Sequence, residues 1–271
     1  MIMLRNKYGQ STYVAFLDFA CAFDSLCRER IYDLPRADGV SGKTVRLIKD
    51  TNSNTTATVR ARAGTSRKIL ADAGVRQGSV LGPMLFNYVI DEVMRRATQD
   101  YVSNILLYSA EEELTRLECA DDIALVADNP RKLQKAVTAA SDNSASFGLL
   151  LKPTKSKVLA TKPSKLMRFP IRIDGEELEN IISFCYLGPL ITAGTSCVED
   201  ISQQTAKASI AFSMMQKCLW NTKIKNNTKL RVYWTAIRPM LMYGSSKCSL
   251  TKAAEGALDA AERKFLRHVL E

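Results

Sequence analysis

Three aspartates are the residues of this sequence whose type and spacing best suit a reaction. Asp18 ends the apolar stretch TYVAFLDF, and Asp121 and Asp122 stand side by side in ECADDIALVAD. Like charges held together among apolar residues are costly unless a cation joins them. Three carboxylates on the ends of neighbouring strands would suit two divalent ions about 3.5–4 Å apart, as in two-metal phosphoryl transfer. A strand-end cap and a solvated turn are the alternative interpretations.

A second candidate feature is the loop within AGVRQGSVLGPMLFNYVID, residues 73–91. This loop contains Gly74, Gly78 and Gly82 and leads into the N-terminus of a helix. Glycines allow a backbone to approach a ligand closely, and helix N-termini favour phosphate. The pattern therefore indicates a phosphate-bearing ligand, although an ordinary loop before a capped helix would have the same pattern.

The cysteine and histidine content argues against several other chemistries. The chain has seven cysteines, no CxxC pair and a single histidine, His268. This composition disfavours a zinc site, a disulfide framework and most nucleophile–histidine pairs. Carboxylates, lysines and metal ions remain as the carriers of any chemistry.

The net charge of +10 is concentrated in the second half of the chain. Residues 1–149 carry 19 lysines and arginines against 18 acidic residues, whereas residues 150–271 carry 19 against 10. This asymmetry indicates a polyanionic partner, nucleic acid first and an anionic membrane second. No apolar run approaches the roughly 20 residues that cross a bilayer, and no signal peptide is evident. We therefore expect a protein of the nucleus or cytoplasm that is not secreted and makes no membrane contact.

The pattern along the chain predicts an α+β fold with a mixed body up to residue 195 and a basic helical region over residues 196–271. The strands and hairpins are expected at 12–19, 56–75, on both sides of the aspartate pair, in KSKVLAT, around Asp174-Gly175 and at 184–192. Helices are expected after Ser41, from Ser79 to about Gln99 and from Pro130 to about Phe147. Three more are expected at 199–219, 227–238 and 252–269, and Pro239 is expected to stop the helix at 227–238.

The order of five motifs resembles that of reverse transcriptases, most closely those of non-LTR (LINE-type) retrotransposons. The motifs are FLDFACAFDSL, GVRQGSVLGPMLFN, CADDIALVAD, GLLLKPTKSKVL and FCYLGPLIT. The resemblance implies a right-hand polymerase palm over residues 1–195, with an antiparallel, ferredoxin-like sheet, packed helices and a remnant of the fingers. It implies a thumb over residues 196–271 that contacts template and primer phosphates without reading their sequence.

The resemblance also implies catalytic roles. Asp18 and Asp121 match the main metal ligands, and Asp122 completes the triad. Lys155 matches the lysine that protonates the leaving pyrophosphate, although spacing alone would also allow a solvated lysine. The implied cofactor is a pair of Mg²⁺ ions, with Mn²⁺ as an alternative, one lowering the pKa of the attacking hydroxyl and one stabilising the leaving group.

The remaining matched residues concern the substrates. Phe23 matches the aromatic residue beside the incoming sugar, and a core aromatic is equally compatible with its spacing. Arg76, Gln77 and Gly78 match the loop that packs against nucleotide and template. The implied partners are an RNA template, a DNA primer and a dNTP.

The motif FCYLGPLIT corresponds to the hairpin that grips the primer end, with Tyr186 and Gly188 as its members. Only 17 residues precede Asp18, so we expect an N-terminally truncated palm and thumb. The leading hypothesis is an RNA-directed DNA polymerase. The alternatives are an inactive nucleic-acid-binding remnant of such an enzyme and an unrelated two-metal nuclease, which the motif order disfavours.

Overall fold

The computed structural model describes residues 2–62, 64–76, 78–99, 101, 103, 105, 113–162, 169–194, 198–215, 224–244 and 252–270. It divides into two compact units, Met1–Ile181 and Ile182–Glu271. The division falls earlier than the expected boundary after residue 195, so the 184–192 segment groups with the C-terminal helices. The assignment of the two parts to palm and thumb stays a prediction.

The first unit contains eleven described strands and six described helices. The strands are β1 (Tyr13–Leu17), β2 (Thr56–Ala57), β3 (Arg60–Ala61), β4 (Gly64–Thr65), β5 (Ile69–Leu70), β6 (Arg116–Cys119), β7 (Asp122–Ala127), β8 (Lys157–Ala160), β9 (Arg172–Ile173), β10 (Glu176–Glu177) and β11 (Glu179–Ile181). The helices are α1 (Ile2–Lys7), α2 (Ala22–Ser25), α3 (Arg28–Ala37), α4 (Gly42–Asn52), α5 (Leu81–Thr98) and α6 (Pro130–Ala145).

A five-stranded sheet of order β11-β8-β1-β7-β6 forms the centre of this unit. All neighbouring pairs are antiparallel except β11 with β8. Strand β1 is central and buried along its whole length, which agrees with its continuous apolar sequence. The prediction of an α+β fold with an antiparallel sheet and packed helices is confirmed.

Helices α5 and α6 pack against each other and against this sheet. Side chains alternate across a strand, so one face of β1 points into the same core as the buried face of α5. This face consists of Tyr13, Ala15 and Leu17. The Asn129 side chain accepts a hydrogen bond from the Arg131 N–H at the start of α6, and Pro130 occupies its first turn. The two predicted helices are confirmed to within a few residues.

The second unit is a small hairpin with a helical cluster. Its elements are β12 (Ser183–Cys185), β13 (Leu190–Thr192), α7 (Val198–Met215), α8 (Asn226–Val232), a π-helical turn (Tyr233–Ile237), α9 (Arg238–Met242) and α10 (Lys252–Leu270). Phe212, Tyr233, Ile237 and Phe265 belong to one apolar core that joins these helices. None of the helices in the described part of the chain is long and apolar enough to span a membrane.

Two local predictions for this unit are wrong. The apolar pattern at 184–192 predicts one strand, but the segment is a hairpin of β12 and β13, as the resemblance implied, because Leu187 and Gly188 adopt positive φ angles and turn the chain. Pro239 does not stop a helix, because the π-helical turn precedes α9 and leaves Pro239 in the first turn of α9, where no N–H is needed.

Candidate active site

Asp18 follows the last residue of β1, and hydrogen bonds fix its backbone. Its N–H donates to Oγ of Ser156 at 3.1 Å. Its carbonyl accepts a hydrogen bond from the Lys152 N–H at 2.8 Å. Because the neighbouring chain segment holds both peptide groups, the carboxylate leaves the sheet at a defined point.

Asp121 and Asp122 lie where β6 turns into β7. Cys119 pairs with Asp122, so Ala120 and Asp121 form the two-residue turn. Ala120 has a φ of 57°, a conformation that is uncommon for a residue with a side chain. Both aspartates are exposed. The prediction that two short strands meet at the aspartate pair is confirmed.

The register of the sheet brings the three carboxylates together. Leu17 pairs with Ile123 across β1 and β7, so the next step of this register places Asp18 opposite Asp122. Although the Asp122 residue as a whole is exposed, partial burial of its carboxyl group raises its pKa, and repulsion from Asp121 and Asp18 raises it further. Asp18, Asp121 and Asp122 therefore form one electrostatic cluster, hereafter the aspartate cluster.

Lys155 reaches the same point from the other neighbour of β1. Phe16 pairs with Lys157 across β1 and β8, and Lys155 lies in the turn just before β8. Nζ of Lys155 lies 3.7 Å from Oδ1 of Asp18, with the two side chains 61% and 43% exposed. An ion pair this exposed adds little stability, so its interest lies in where it places the ammonium group.

The aspartate cluster fits divalent cations by the chemistry of its donors. Oδ1 of Asp18 is buried and accepts no hydrogen bond from any described residue. Among the residues that the structure describes, no group of three or more histidine, cysteine or acidic side chains forms a ready-made metal site. Mg²⁺ uses few carboxylates together with water and substrate phosphates, so the oxygen donors suit it without a complete protein cage.

The glycine-containing loop packs directly on α2. The Gly74 N–H donates to the Leu26 carbonyl and the Val75 N–H to the Phe23 carbonyl, both at 2.8 Å. Gly74 has a φ of +76°, and a Cβ there would lie 2.7 Å from the backbone of Phe23 and of Asp24. Only glycine fits this position without a shift of the backbone.

Beyond this anchor the loop becomes exposed. Arg76 and Gly78 are both exposed, and Gly78 has a φ of +81° with open space around it. Gln77, which was predicted to contact the nucleotide, lies outside the described residues. Oγ of Ser79 then accepts a hydrogen bond from the Gly82 N–H at 2.9 Å and caps the start of α5.

Phe23 is half-buried beneath this loop. Its ring stacks on the buried Phe86 ring with 4.3 Å between centroids and 20° between planes. One face of Phe23 therefore serves core packing, as the alternative interpretation expected, and its contact with a sugar stays a prediction.

Arg28 is a residue of this region that the sequence analysis missed. Its guanidinium donates to the carbonyls of Ala73, Gly74 and Asn52 and to Oγ1 of Thr55, over distances of 2.7–3.0 Å. It thereby ties the loop to the end of α4. Three of these partners are backbone carbonyls, which leave no side-chain pattern in the sequence, so no signal pointed to Arg28.

Tyr186 and Gly188, the predicted primer-grip residues, lie in the second unit. Tyr186 is buried, and its N–H donates to the Pro189 carbonyl at 3.0 Å. A Cβ on Gly188 would lie 2.6 Å from the Tyr243 ring. The Tyr243 hydroxyl donates to the Leu187 carbonyl at 2.8 Å. The hairpin is thus held closely within its own unit, and its contact with a primer stays a prediction.

An antiparallel sheet with packed helices and the aspartate cluster at one end is consistent with a polymerase palm. The reverse transcriptase (RNA-dependent DNA polymerase) family model matches residues 3–171, more than half of the chain. The chain therefore belongs to the reverse transcriptase family.

The relatives agree with this membership. A retrovirus-related Pol polyprotein from a type-1 R2 retrotransposable element of Popillia japonica is 27% identical over 92% of this chain and 35% of its own length. A second, from the type-2 element R2DM of Drosophila melanogaster, is 30% identical over 58% of this chain and 14% of its own length. The resemblance to non-LTR retrotransposon enzymes is confirmed, and the chain spans 35% to 44% of the two Popillia japonica relatives.

A solved structure supports the fold. Telomerase from Candida tropicalis, in complex with a TWJ fragment of telomeric RNA, superposes with a TM-score of 0.54 at 13% identity, covering 99% of this chain and 40% of the telomerase chain. At this identity the likeness concerns the fold alone.

Proposed function

We propose that this chain carries the catalytic centre of an RNA-directed DNA polymerase. The 3′-hydroxyl oxygen of a DNA primer attacks the α-phosphorus of a dNTP paired with an RNA template. A bond forms between these two atoms, and the bond from the α-phosphorus to the bridging oxygen of the leaving pyrophosphate breaks. The position of Asp18 opposite Asp122, with Asp121 in the adjoining turn, is the observation that carries the proposal.

The aspartate cluster would hold two divalent ions, Mg²⁺ or Mn²⁺. Bound ions would neutralise phosphate charge and make the primer hydroxyl easier to deprotonate. The chain's own contribution is to hold three carboxylates at one end of a rigid sheet. That placement raises the pKa of Asp122, first through partial burial of the carboxyl and then through repulsion from Asp121 and Asp18, both of which favour a bound proton.

Lys155 would act on the leaving group. Its ammonium group carries a proton that the pyrophosphate oxygen takes as the bond to the α-phosphorus breaks. The Asp18 carboxylate, 3.7 Å away, keeps this ammonium beside the reacting phosphates.

The remaining matched residues would position substrates. Phe23, Arg76, Gln77 and Gly78 would pack around the dNTP and template. Tyr186 and Gly188 would support the primer end. A protein with this activity would work in the nucleus or the cytoplasm, where its nucleic acids are found.

Primer extension tests the proposal. A labelled DNA primer on an RNA template is incubated with dNTPs and Mg²⁺ and either the wild type or Asp121→Asn. The matched control is Asp174→Asn, the same change in another hairpin turn, where a φ of 50° is well tolerated by asparagine. We expect extension by the wild type and the control but not by Asp121→Asn. Binding of primed template without extension would instead support the nucleic-acid-binding remnant.

A further inference from the structure

The hairpin from Thr56 to Leu70, hereafter the basic arm, stands apart from the core of its unit. Every described residue in this range is exposed. Two short antiparallel ladders hold it, Thr56–Ala57 with Ile69–Leu70 and Arg60–Ala61 with Gly64–Thr65. A hairpin with no packed face is marginally stable by itself in water, so such an arm is suited to gain stability from a bound partner.

The charge of the basic arm has one sign. It contains Arg60, Arg62, Arg67 and Lys68 and has no aspartate or glutamate. None of these four side chains forms an ion pair with a residue that the structure describes. Four cations on a narrow hairpin repel one another, and a polyanion would relieve that repulsion.

The base of the arm is joined to the candidate active site. Thr55, immediately before the arm, is buried, and its Oγ1 accepts a hydrogen bond from Arg28 at 2.7 Å. The same guanidinium donates to the Gly74 carbonyl at 2.8 Å. One side chain therefore anchors both the arm and the loop that leads to Arg76.

We propose that the basic arm binds the phosphate backbone of nucleic acid, as a contact additional to the aspartate cluster and the basic C-terminal helices. This inference builds on the proposed function, because it adds a binding surface for the same template and primer. Arginine and lysine side chains neutralise phosphates without reading sequence, and exposed hydroxyls of Thr58 and Thr65 offer further hydrogen bonds to phosphate oxygens.

The charges of the basic arm could serve two different roles, which experiment can separate from nucleic-acid binding. Exposed cations can protect the open edges of a hairpin against self-association. They can also bind an anionic membrane surface. Membership of a polymerase family favours nucleic acid over both.

The test compares two fourfold variants of the full chain by fluorescence anisotropy with a labelled, primed RNA template. The arm variant is Arg60→Gln, Arg62→Gln, Arg67→Gln and Lys68→Gln. The control variant removes the same charge from exposed positions of α3 and α4 that form no described ion pair. It is Arg30→Gln, Arg36→Gln, Lys43→Gln and Lys49→Gln. Circular dichroism and thermal unfolding establish that each variant is folded.

We expect the Kd of the arm variant to rise about tenfold or more relative to the control variant near 0.1 M salt, with a shallower dependence of log Kd on log salt. Equal Kd values for the two variants would overturn the inference. Aggregation of the arm variant with unchanged binding of the template would also overturn it. The same holds if the arm variant loses binding only to phosphatidylserine vesicles and not to the template.

The extension assay keeps this inference apart from the proposed function. Arm-dependent binding by a wild type that never extends a primer would support the arm and contradict the polymerase. Extension that requires Asp121, together with equal binding by the arm and control variants, would contradict the arm alone. A wild type that binds no nucleic acid would contradict both.

Discussion

Nζ of Lys155, in the turn before β8, lies 3.7 Å from Oδ1 of Asp18, which directly follows β1. On the other side of β1, the same aspartate faces Asp122. Asp18 therefore stands between a cation from the β8 side and a carboxylate from the β7 side. Under the proposed function, this arrangement would let one end of one sheet hold metal ions and also present a proton donor to a leaving group.

Replacing Lys155 tests its role as a proton donor. We expect Lys155→Ala to slow single-turnover extension by roughly 100-fold, the lower end of the usual contribution of general acid catalysis. Lys155→Arg should also be slow, because arginine keeps the charge but gives up a proton far less readily. Rapid-quench measurements at saturating dNTP give the rate.

The control for this experiment is Lys135→Ala, which removes an exposed lysine of α6 that forms no described ion pair. A full rate for Lys155→Arg together with a slow Lys155→Ala would show that charge alone is required, and it would contradict proton donation.

Removing one charge from the aspartate cluster should stabilise the protein while abolishing extension. We expect Asp122→Asn to raise the free energy of unfolding at pH 7 by about 0.2–1 kcal/mol, the usual range for a cross-strand charge pair. Thermal unfolding in the absence of divalent ions measures the gain. A lower melting temperature for Asp122→Asn would contradict mutual repulsion within the cluster.

The same variant gives a pH dependence of definite sign. The folded-state pKa of Asp122 is raised above its ordinary value of 3.8, so the folded state binds a proton more readily than the unfolded state. Ionised Asp122 therefore destabilises the fold above its folded-state pKa, and this penalty disappears as the pH falls below the ordinary value. The difference in melting temperature between wild type and Asp122→Asn should shrink on going from pH 7 toward about pH 3.5.

Gly74→Ala should loosen the loop that precedes Arg76. Both Gly74 and Gly175 have positive φ, but only at Gly74 would a Cβ meet backbone atoms. We expect Gly175→Ala to cost about 1–2 kcal/mol from its conformation alone. Gly74→Ala should cost a further 1–3 kcal/mol or so from the clash. Urea unfolding of the two variants measures both, and equal costs would contradict the close packing of the loop on α2.

Arg28 should prove necessary for the position of this loop. Arg28→Met leaves the carbonyls of Asn52, Ala73 and Gly74 without their donor, and we expect a loss of at least about 2 kcal/mol in the free energy of unfolding. Arg28→Lys should recover little, because an ammonium group lacks the planar fork that reaches several acceptors. Arg30→Met, an exposed change on the same helix, is the control. Equal stability of Arg28→Met and Arg30→Met would contradict the anchoring role.

The parts of the site that the sequence predicts are those encoded by local patterns. The apolar run of β1 places Asp18 at a strand end, and the apolar residues after Asp122 place the aspartate pair at a strand junction. The pairing of β1 with β7 and β8 brings Asp18 near both Asp122 and Lys155, and this pairing joins distant segments of the chain. The resemblance to reverse transcriptases implied that these residues meet, but local sequence patterns alone could not predict that contact.

The missed features have physical causes that lie outside such patterns. Arg28 acts through backbone carbonyls, so its partners have no characteristic side chains. The π-helical turn moves Pro239 into a first helical turn, where its missing N–H has no cost. The turn at Leu187 and Gly188 is fixed by packing of Tyr243 against Gly188, a contact between separate parts of the second unit.

Incorporation of a single nucleotide tests the central claim most directly. The full chain is mixed with primed RNA template at a concentration that anisotropy shows to be saturating, and one complementary dNTP and Mg²⁺ are added. The amounts of extended primer and of released pyrophosphate are both measured. We predict equal moles of the two products from the wild type and neither from Asp18→Asn or Asp122→Asn. No product from a folded wild type that binds the template, or equal product from the Asp122→Asn variant, would contradict catalysis by the aspartate cluster.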